Sequence, residues 1–506
     1  MSENKEEKRV EIKLERHLWP DEKQALEEEK ARKKGQVLLF AAVFCLLCAS
    51  FGLGMVLGSR NSNGSSVAPS SHESSPFTRM ESIYNKLLSD WWFVNDLENP
   101  EEALIDRAIR GMIGKDVDPH TEYMTAEEAL AFQQGIDLGF VGIGVSYTSL
   151  EDKILILKVF YDSPAYRAGL QPGDLISEVD HQSVAGWTTE EIKNAVQGEE
   201  GTIVNITYIR QNEEFSVDIT RGVVENSIYG EIRDGYGYLE LYQFSTAAPT
   251  EVQKYLEYFK QNNVTKLVID VRDDGGGYLS SLIGVADLFL DKGQVILTQE
   301  YSDGEIIQST ASGKNQYVYD KMVILGNENS ASASEALIGA LTQNGKAVFI
   351  GTTTYGKSTI QVPYYYSDGS TLKYTHGIWK TPNGSIINLV GITPDIAVDL
   401  HPILNMSYVT LGEEEFLKYD QVDGRLSTLQ YAMDFLGYPV DRFDGYFSKA
   451  TEECVRSFQN DLGLNVTGEI DAETANLMCS EVTRLYNLDT YKYDLQLLKA
   501  EEYLNE

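Results

Sequence analysis

An apolar strand that runs straight into small residues and then a helix limits this chain more than any other stretch. Residues 322–325, MVIL, form an apolar run, and GNENSASASEALIGALTQNG follows it. Ala336, Leu337, Ala340 and Leu341 recur at helical spacing, and Asn344-Gly345 closes the segment. A second apolar run, residues 347–350, leads into a Gly-rich turn that holds Lys357. This order predicts an α/β unit with a strand-to-helix turn. Such a turn can expose a serine hydroxyl, and the free N–H groups at the helix start can hold an oxyanion. Serine also needs a base. The chain has only 6 His, but a lysine serves when burial disfavours its ammonium form, and Lys357 lies in a tight loop beside apolar strands. A plainer reading also fits the residue types: Ser332-x-x-Glu335 matches a capping box, and Lys357 matches a surface turn. Residue types alone leave Ser330, Ser332 and Ser334 open as the nucleophile.

The 506 residues, 42% of them apolar, imply several packed domains. A net charge of -35 argues against a nucleic-acid partner, because phosphates would be repelled. Acidic and basic residues balance over residues 1–34, so the excess negative charge lies beyond them. Residues 37–57 are uncharged and almost wholly apolar, enough for a bilayer core that needs roughly 20 residues. Lys30, Arg32, Lys33 and Lys34 precede this run, which predicts a cytoplasmic N-terminus and an extracytoplasmic remainder. The expectation is a cytoplasmic segment over 1–36 and one transmembrane anchor in the cell membrane over 37–58. The long charged N-terminal segment and the lack of an A-x-A site favour a retained anchor over a cleaved signal peptide. Residues 59–76, rich in Ser with Asn, Gly and Pro, read as a flexible linker. The 4 Cys do not make a disulfide scaffold. Cys45 and Cys48 sit in the apolar run, while Cys454 and Cys479 could be a disulfide or two core thiols.

Residues 77–132 are helical in pattern, with Ile83, Leu87 and Leu88 and then Leu104, Ala108 and Ile109 three and four apart. His120, in DPHTEYM, reads as a turn residue. Residues 136–222 carry GFVGIGVSY, SPAYRAGLQPGDLISEVD and a hairpin around Gln211-Asn212, the signs of a small β-rich domain. This order resembles a PDZ domain, which captures a peptide's C-terminal carboxylate on backbone N–H groups while the peptide adds a strand. The matching loop is Phe140, Val141, Gly142, Ile143 and Gly144. Residues 223–400 continue with KLVIDVRDDGGG, a buried strand entering a Gly-rich turn that lets another backbone approach closely. GTTTYGKS, residues 351–358, fits the P-loop pattern. The strand-like TIQVPYYY after it and the lack of a Walker-B-like partner argue against a nucleotide site. After a spacer over 401–424, residues 425–480 hold three short helices with turns at Asp444-Gly445 and Gly468, and a tail follows over 481–506. No metal is implied, since HExxH and clustered His and Cys ligands are missing.

NENSASASEALIGAL with GTTTYGKSTIQ closely resembles the active-site segment of the C-terminal processing peptidases, also called tail-specific proteases. The resemblance implies Ser332 as nucleophile, Lys357 as general base, Gln361 as the residue that supports the lysine, and Glu335 as support of the nucleophile turn. RDDGGG matches the family's oxyanion segment, which points to the N–H groups of Gly276 and Ala333. Asn329, Gly275 and Ser358 depart from the usual Gly, Pro and Gly without removing a reacting group. DGYFSKAT with VRSFQNDLGLNVTGEID resembles a peptidoglycan-binding-like module, which either binds cell wall or only packs against the protease. The expected fold class is therefore multidomain α+β: a transmembrane helix, a helical N-terminal region, a PDZ domain, an α/β protease core and a small three-helix C-terminal module. The implied function is a membrane-anchored serine endopeptidase without cofactor, which takes protein substrates by unstructured apolar C-termini. Peptidoglycan and a second copy of the chain are further partners implied by relatives. The competing class is a PDZ and cell-wall adaptor with an inactive core. A penicillin-binding Ser/Lys enzyme is a weaker rival, because such enzymes carry Lys three residues after the Ser, where this chain has Glu335.

Overall fold

The computed structural model of the chain describes residues 75–137, 140–224, 227–314, 317–412, 414–488 and 490–506. The chain divides into two units, Met1–Asp96 and Leu97–Glu506. In the first, the described part is a helix, Pro76–Asp90, followed by a single 3-10 turn, Val94–Asp96. The expected fold class is corrected in one element. Among the described residues no helix is long and apolar enough to cross a membrane, and the stretch expected to do so, residues 37–58, lies outside the described residues.

In the second unit a six-stranded sheet carries the Ser332 turn. Its strands run in the order Ile228–Arg233, Tyr236–Leu241, Lys266–Asp270, Lys321–Gly326, Val348–Gly351 and Ile396–Ala397. The first pair is antiparallel and the others are parallel. Parallel strands need both faces covered, which is why these read as nearly continuous apolar runs. Leu267, Ile269 and Ile324 pack with residues of helices Ala248–Gln261, Leu279–Ala286 and Ala333–Gln343. Val268, Val323 and Leu325 pack instead with Leu497, Ala500 and Leu504 of helix Leu495–Asn505. Burying each such side chain contributes about 1.5–3 kcal/mol. The segment expected as a tail thus covers one face of the core sheet. Asp494, which caps that helix, also grips Arg272: both guanidinium Nη atoms donate to it at 2.8 Å, and Arg272 reaches Asp270 as well. This clamp stands just ahead of the Gly-rich turn.

A second sheet of the core pairs Thr371–Lys380 with Val295–Tyr301 and with Thr359–Tyr365. Glu122–Met124 from the N-terminal helical region adds to its edge, so that region is helical with one strand inserted. The PDZ-like region holds strands Val145–Ser149, Ile154–Val159, Leu175–Val179, Ile203–Arg210 and Glu213–Thr220 around Ile154, Ile156, Ile176, Val204 and Ile206. The expected hairpin turn is present, with Gln211 and Asn212 both at positive φ. The C-terminal module has the three expected helices, Gly424–Phe435, Lys449–Asp461 and Ala472–Leu488. Its core is shared with the outer face of the PDZ-like sheet: Leu150, Leu155 and Leu175 join Leu429, Phe447, Phe458 and Met478. Polar contacts tighten that seam, from Asn476 Nδ2 to Asp152 at 2.7 Å and from the Ser480 hydroxyl to the Gly173 carbonyl at 2.6 Å. Cys454 and Cys479 are buried free thiols, so the disulfide alternative is not the one adopted.

Candidate active site

Strand Lys321–Gly326 delivers the chain into a turn where the three serines separate by geometry. The Ser330 hydroxyl is buried and donates to the Val271 carbonyl at 2.7 Å. The Ser334 hydroxyl is buried and donates to the Asp274 carbonyl at 3.0 Å. Ser332 is only half-buried, and its hydroxyl proton goes to no described residue. Its backbone stands at φ +58° and ψ −111°, a region that costs a non-glycine residue about 1–3 kcal/mol and tends to mark functional sites. Ser332 opens helix Ala333–Gln343, and the Ala333 N–H at the first helical position has no acceptor among the described residues. A free helix-start N–H beside a hydroxyl whose proton is uncommitted, its oxygen facing the Glu335 N–H in the expected capping box, is the arrangement an oxyanion needs.

Strand Val348–Gly351 then leads to the Lys357 loop, which docks on this turn through Tyr355 N–H to the Ser330 carbonyl at 3.1 Å. Glu335 joins the two loops. Its Oε2 accepts the Ser332 N–H at 2.9 Å and the Lys357 N–H at 2.8 Å. Its Oε1 accepts the Gly356 N–H at 2.7 Å and the Thr354 hydroxyl at 2.6 Å. The side chain is wholly buried, and four donors on one carboxylate are what make a buried charge tolerable. Ser332 and Lys357 are therefore brought together by main-chain bonds to a single oxygen. Burial pushes the Lys357 amine below its ordinary pKa, helped by the Lys373 ammonium, while Glu335 and Asp118 act in the opposite sense. The Lys357 ammonium makes no hydrogen bond or ion pair among the described residues, including with Ser332.

The Gly-rich turn lies against the serine. At Gly276, with φ +100°, an added Cβ would come within 2.7 Å of the Ala331 carbonyl oxygen and 2.9 Å of the Ala333 nitrogen. Only glycine fits there. The Gly276 N–H, expected as an oxyanion donor, instead donates to Asp274 Oδ1 at 2.8 Å. The N–H groups of Gly275 and Gly277 donate to no described residue.

Three family models match the chain: "Peptidase family S41" over residues 235–398, "PDZ domain" over 159–210 and "Putative peptidoglycan binding domain" over 423–478. A "Probable CtpA-like serine protease" of Staphylococcus epidermidis is 30% identical over 420 residues, covering 82% of this chain and 84% of its own length. One of Staphylococcus aureus is 33% identical over 406 residues, covering 80% and 81%. The chain belongs to peptidase family S41. It is a serine-type protease with a PDZ domain and a peptidoglycan-binding domain. Among solved structures, the "Photosystem II D1 C-terminal processing protease" is similar at 24% identity and a TM-score of 0.42, over 64% of this chain and 94% of that one.

In this S41 protease Gln361 lies on strand Thr359–Tyr365 after the lysine loop. Its amide donates to the hydroxyls of Thr359 at 2.9 Å and Thr375 at 3.1 Å, not to Lys357. The strand also disposes of the P-loop reading, since a nucleotide loop would open a helix at this point. His120 is a turn residue, as expected: its N–H donates to Asp118 at 3.0 Å. Sequence reasoning missed where that turn lies. The Thr121 hydroxyl oxygen accepts the Thr375 N–H at 3.0 Å, and burial together with the Lys357 ammonium lowers the His120 pKa. No local signal joins residues so far apart in the chain.

The PDZ loop has two features of a carboxylate site. The N–H groups of Ile143 and Gly144 donate to no described residue, while their carbonyls accept Ala165 N–H at 2.8 Å and Phe160 N–H at 3.1 Å and so hold the loop. Gly144 stands at φ +82° with Ser163 packed against it. Val141 and Gly142 pair with Val223 and Gly222. Strand Val145–Ser149, which continues from the loop, is the terminal strand of its sheet, with no described strand paired on its outer edge.

Proposed function

We propose that Ser332 and Lys357 form a Ser-Lys dyad that cleaves protein substrates captured by an apolar, unstructured C-terminal tail. The observation that carries this reading is the Ser332 turn. Of its three serines, Ser332 alone keeps an uncommitted hydroxyl proton, on a strained backbone, with its N–H sharing one Glu335 oxygen with the Lys357 N–H. In the forward step the neutral Lys357 amine takes the Ser332 proton as Oγ bonds to the peptide carbonyl carbon. The Ala333 N–H donates to the oxyanion. Lys357 then returns the proton to the leaving nitrogen as the C–N bond breaks, and water repeats the sequence on the acyl-enzyme. Gln361, with its amide N–H groups held by two threonines, has a carbonyl oxygen that accepts from no described residue and can accept from Lys357. The tail enters as an added strand along Val145–Ser149, its carboxylate on the Ile143 and Gly144 N–H groups, beside Val141 and Gly142. The C-terminal module acts first as a brace on the PDZ sheet, and the family match over residues 423–478 supports peptidoglycan as a second ligand.

The test follows cleavage of an unstructured protein with an apolar tail by mass spectrometry, using the full chain. Ser332→Ala and Lys357→Ala should each lower turnover by about 1000-fold or more without shifting thermal unfolding, and amidation of the substrate tail should slow the intact enzyme. Turnover should rise with pH through the lowered Lys357 pKa, since only the neutral amine is a base. Retained turnover in either variant overturns the dyad. An inert intact enzyme would favour the adaptor reading.

A further inference from the structure

Asp274 has no part in the mechanism above, yet it is tied to both sides of Ser332. Its main-chain carbonyl accepts the Ala331 N–H at 3.0 Å and the Ser334 hydroxyl at 3.0 Å. Its side chain is wholly buried. Oδ1 accepts the Gly276 N–H, and Oδ2 is buried with no partner. One main-chain donor for two carboxylate oxygens is a poor environment for a charge.

The charged neighbours do not repair this. Arg272, two residues earlier, is committed to Asp270 and Asp494. Asp273 is held by the side-chain amides of Asn327 and Asn329. Glu335, on the helix that Ser332 opens, is a second acid with its own four donors. The cation that acts on Asp274 is Lys158 of the PDZ domain, and it is paired with Glu240. Burial raises the Asp274 pKa to about 8, against the pull of the Gly276 N–H, of the Ser334 hydroxyl beside it and of the Lys158 ammonium.

We propose that Asp274 is a positioning residue that keeps the Gly275 to Gly277 turn competent as a neutral carboxyl and disables it once ionised. The inference rests on Ser332 being the nucleophile. A neutral carboxyl oxygen accepts the Gly276 N–H weakly, and that donor can turn toward an oxyanion. A carboxylate holds the same N–H in a charge-assisted bond of roughly twice the strength. It also sets a buried negative charge next to the one that forms on the substrate, where low dielectric leaves repulsion unscreened.

The experiment compares the full-length enzyme with Asp274→Asn from pH 5.5 to 9.5. Asparagine keeps an acceptor for Gly276 and cannot ionise. The intact enzyme should give a bell-shaped kcat/KM, rising as Lys357 loses its proton and falling about tenfold per pH unit above the Asp274 pKa. The Asn variant should keep the rising limb and lose the falling one. A falling limb retained in the Asn variant overturns the proposal. Thermal unfolding gives a readout independent of cleavage. With the folded pKa raised, the native state binds a proton that the unfolded chain releases. Stability of the intact protein relative to the variant should thus decline as pH rises from about 4 to about 8 and then level. A pH-independent difference overturns the proposal even if cleavage is normal. A sloping difference with no Ser332-dependent cleavage overturns the nucleophile assignment and, with it, the positioning role.

Discussion

Two buried acids flank the same serine and are treated in opposite ways. Glu335, on the helix side, receives four hydrogen bonds and uses them to join the Ser332 turn to the Lys357 loop. Asp274, on the Gly-turn side, receives one and leaves an oxygen bare. Burial is complete for both, so depth does not separate them. Donor supply does. A carboxylate given donors from two loops becomes a rigid joint. A carboxyl given a single donor tends instead to keep its proton, and its protonation state becomes a variable. The protease core thus has a fixed wall and a titratable wall around one nucleophile.

The sharpest way to break this contrast is Glu335→Ala. It removes the shared acceptor of four donors, all of them at the seam between the Ser332 and Lys357 segments. Turnover should fall to background. Stability should fall by about 3–5 kcal/mol, the usual cost of removing one partner from a buried charged network. The measurements are single-turnover cleavage and denaturant unfolding. Near-normal turnover would mean that Ser332 and Lys357 keep their positions without the joint.

A single donor tests the joint more finely. The Thr354 hydroxyl donates to Glu335 Oε1 at 2.6 Å and accepts the Ile392 N–H at 2.7 Å. Thr354→Val preserves the shape of this buried side chain, strips one of four donors from the carboxylate and orphans the Ile392 N–H. Stability should drop by about 1–3 kcal/mol and kcat by about tenfold, with KM little changed because the loop distorts the dyad rather than the tail site. A pure KM effect would assign Thr354 to substrate binding instead.

The sequence disclosed some of this and hid the rest for physical reasons. The Ser332-x-x-Glu335 spacing is local, so the Ser half of the Glu335 network was legible as a cap. The Lys357 half was not, because the stretch between Glu335 and Lys357, 22 positions apart, carries no periodic mark of their contact. The strands at 266–270 and 321–326 were legible because both faces are apolar. What covers the second face was not: the helix at 495–505 looked like a tail, and only its packing against Val268 and Val323 defines it. The choice among three serines also needed geometry, since it depends on which hydroxyls find carbonyls on another segment. The motif resemblance named Ser332 and Gly276 alike, yet it could not foresee that the Gly276 N–H would be taken by Asp274, an intraturn bond set by side-chain rotation. The PDZ and C-terminal modules were each readable by pattern, whereas their shared core was not, because Leu150, Leu155 and Leu175 look like ordinary strand residues.

The smallest expected effect sharpens the contrast from the Asp274 side. The Ser334 hydroxyl, like that of Thr354, is buried and donates to one of the two acids, but it ends on the Asp274 main-chain carbonyl rather than on the carboxyl. That carbonyl also accepts the Ala331 N–H, so removing the hydroxyl leaves no orphan acceptor. Ser334→Ala should therefore cost only about 0.5–1.5 kcal/mol, the net value of one neutral hydrogen bond, and kcat should stay within about threefold of the intact enzyme. The Ser334 hydroxyl also acts to lower the Asp274 pKa, so the falling limb should move only slightly, to higher pH, while the carboxyl keeps its Gly276 donor. Stopped-flow cleavage across pH with parallel unfolding curves measures both. If Ser334→Ala costs as much as Thr354→Val, or moves the falling limb by about one pH unit or more, then Asp274 is held through its hydroxyl neighbour as Glu335 is, and the two walls are not different in kind.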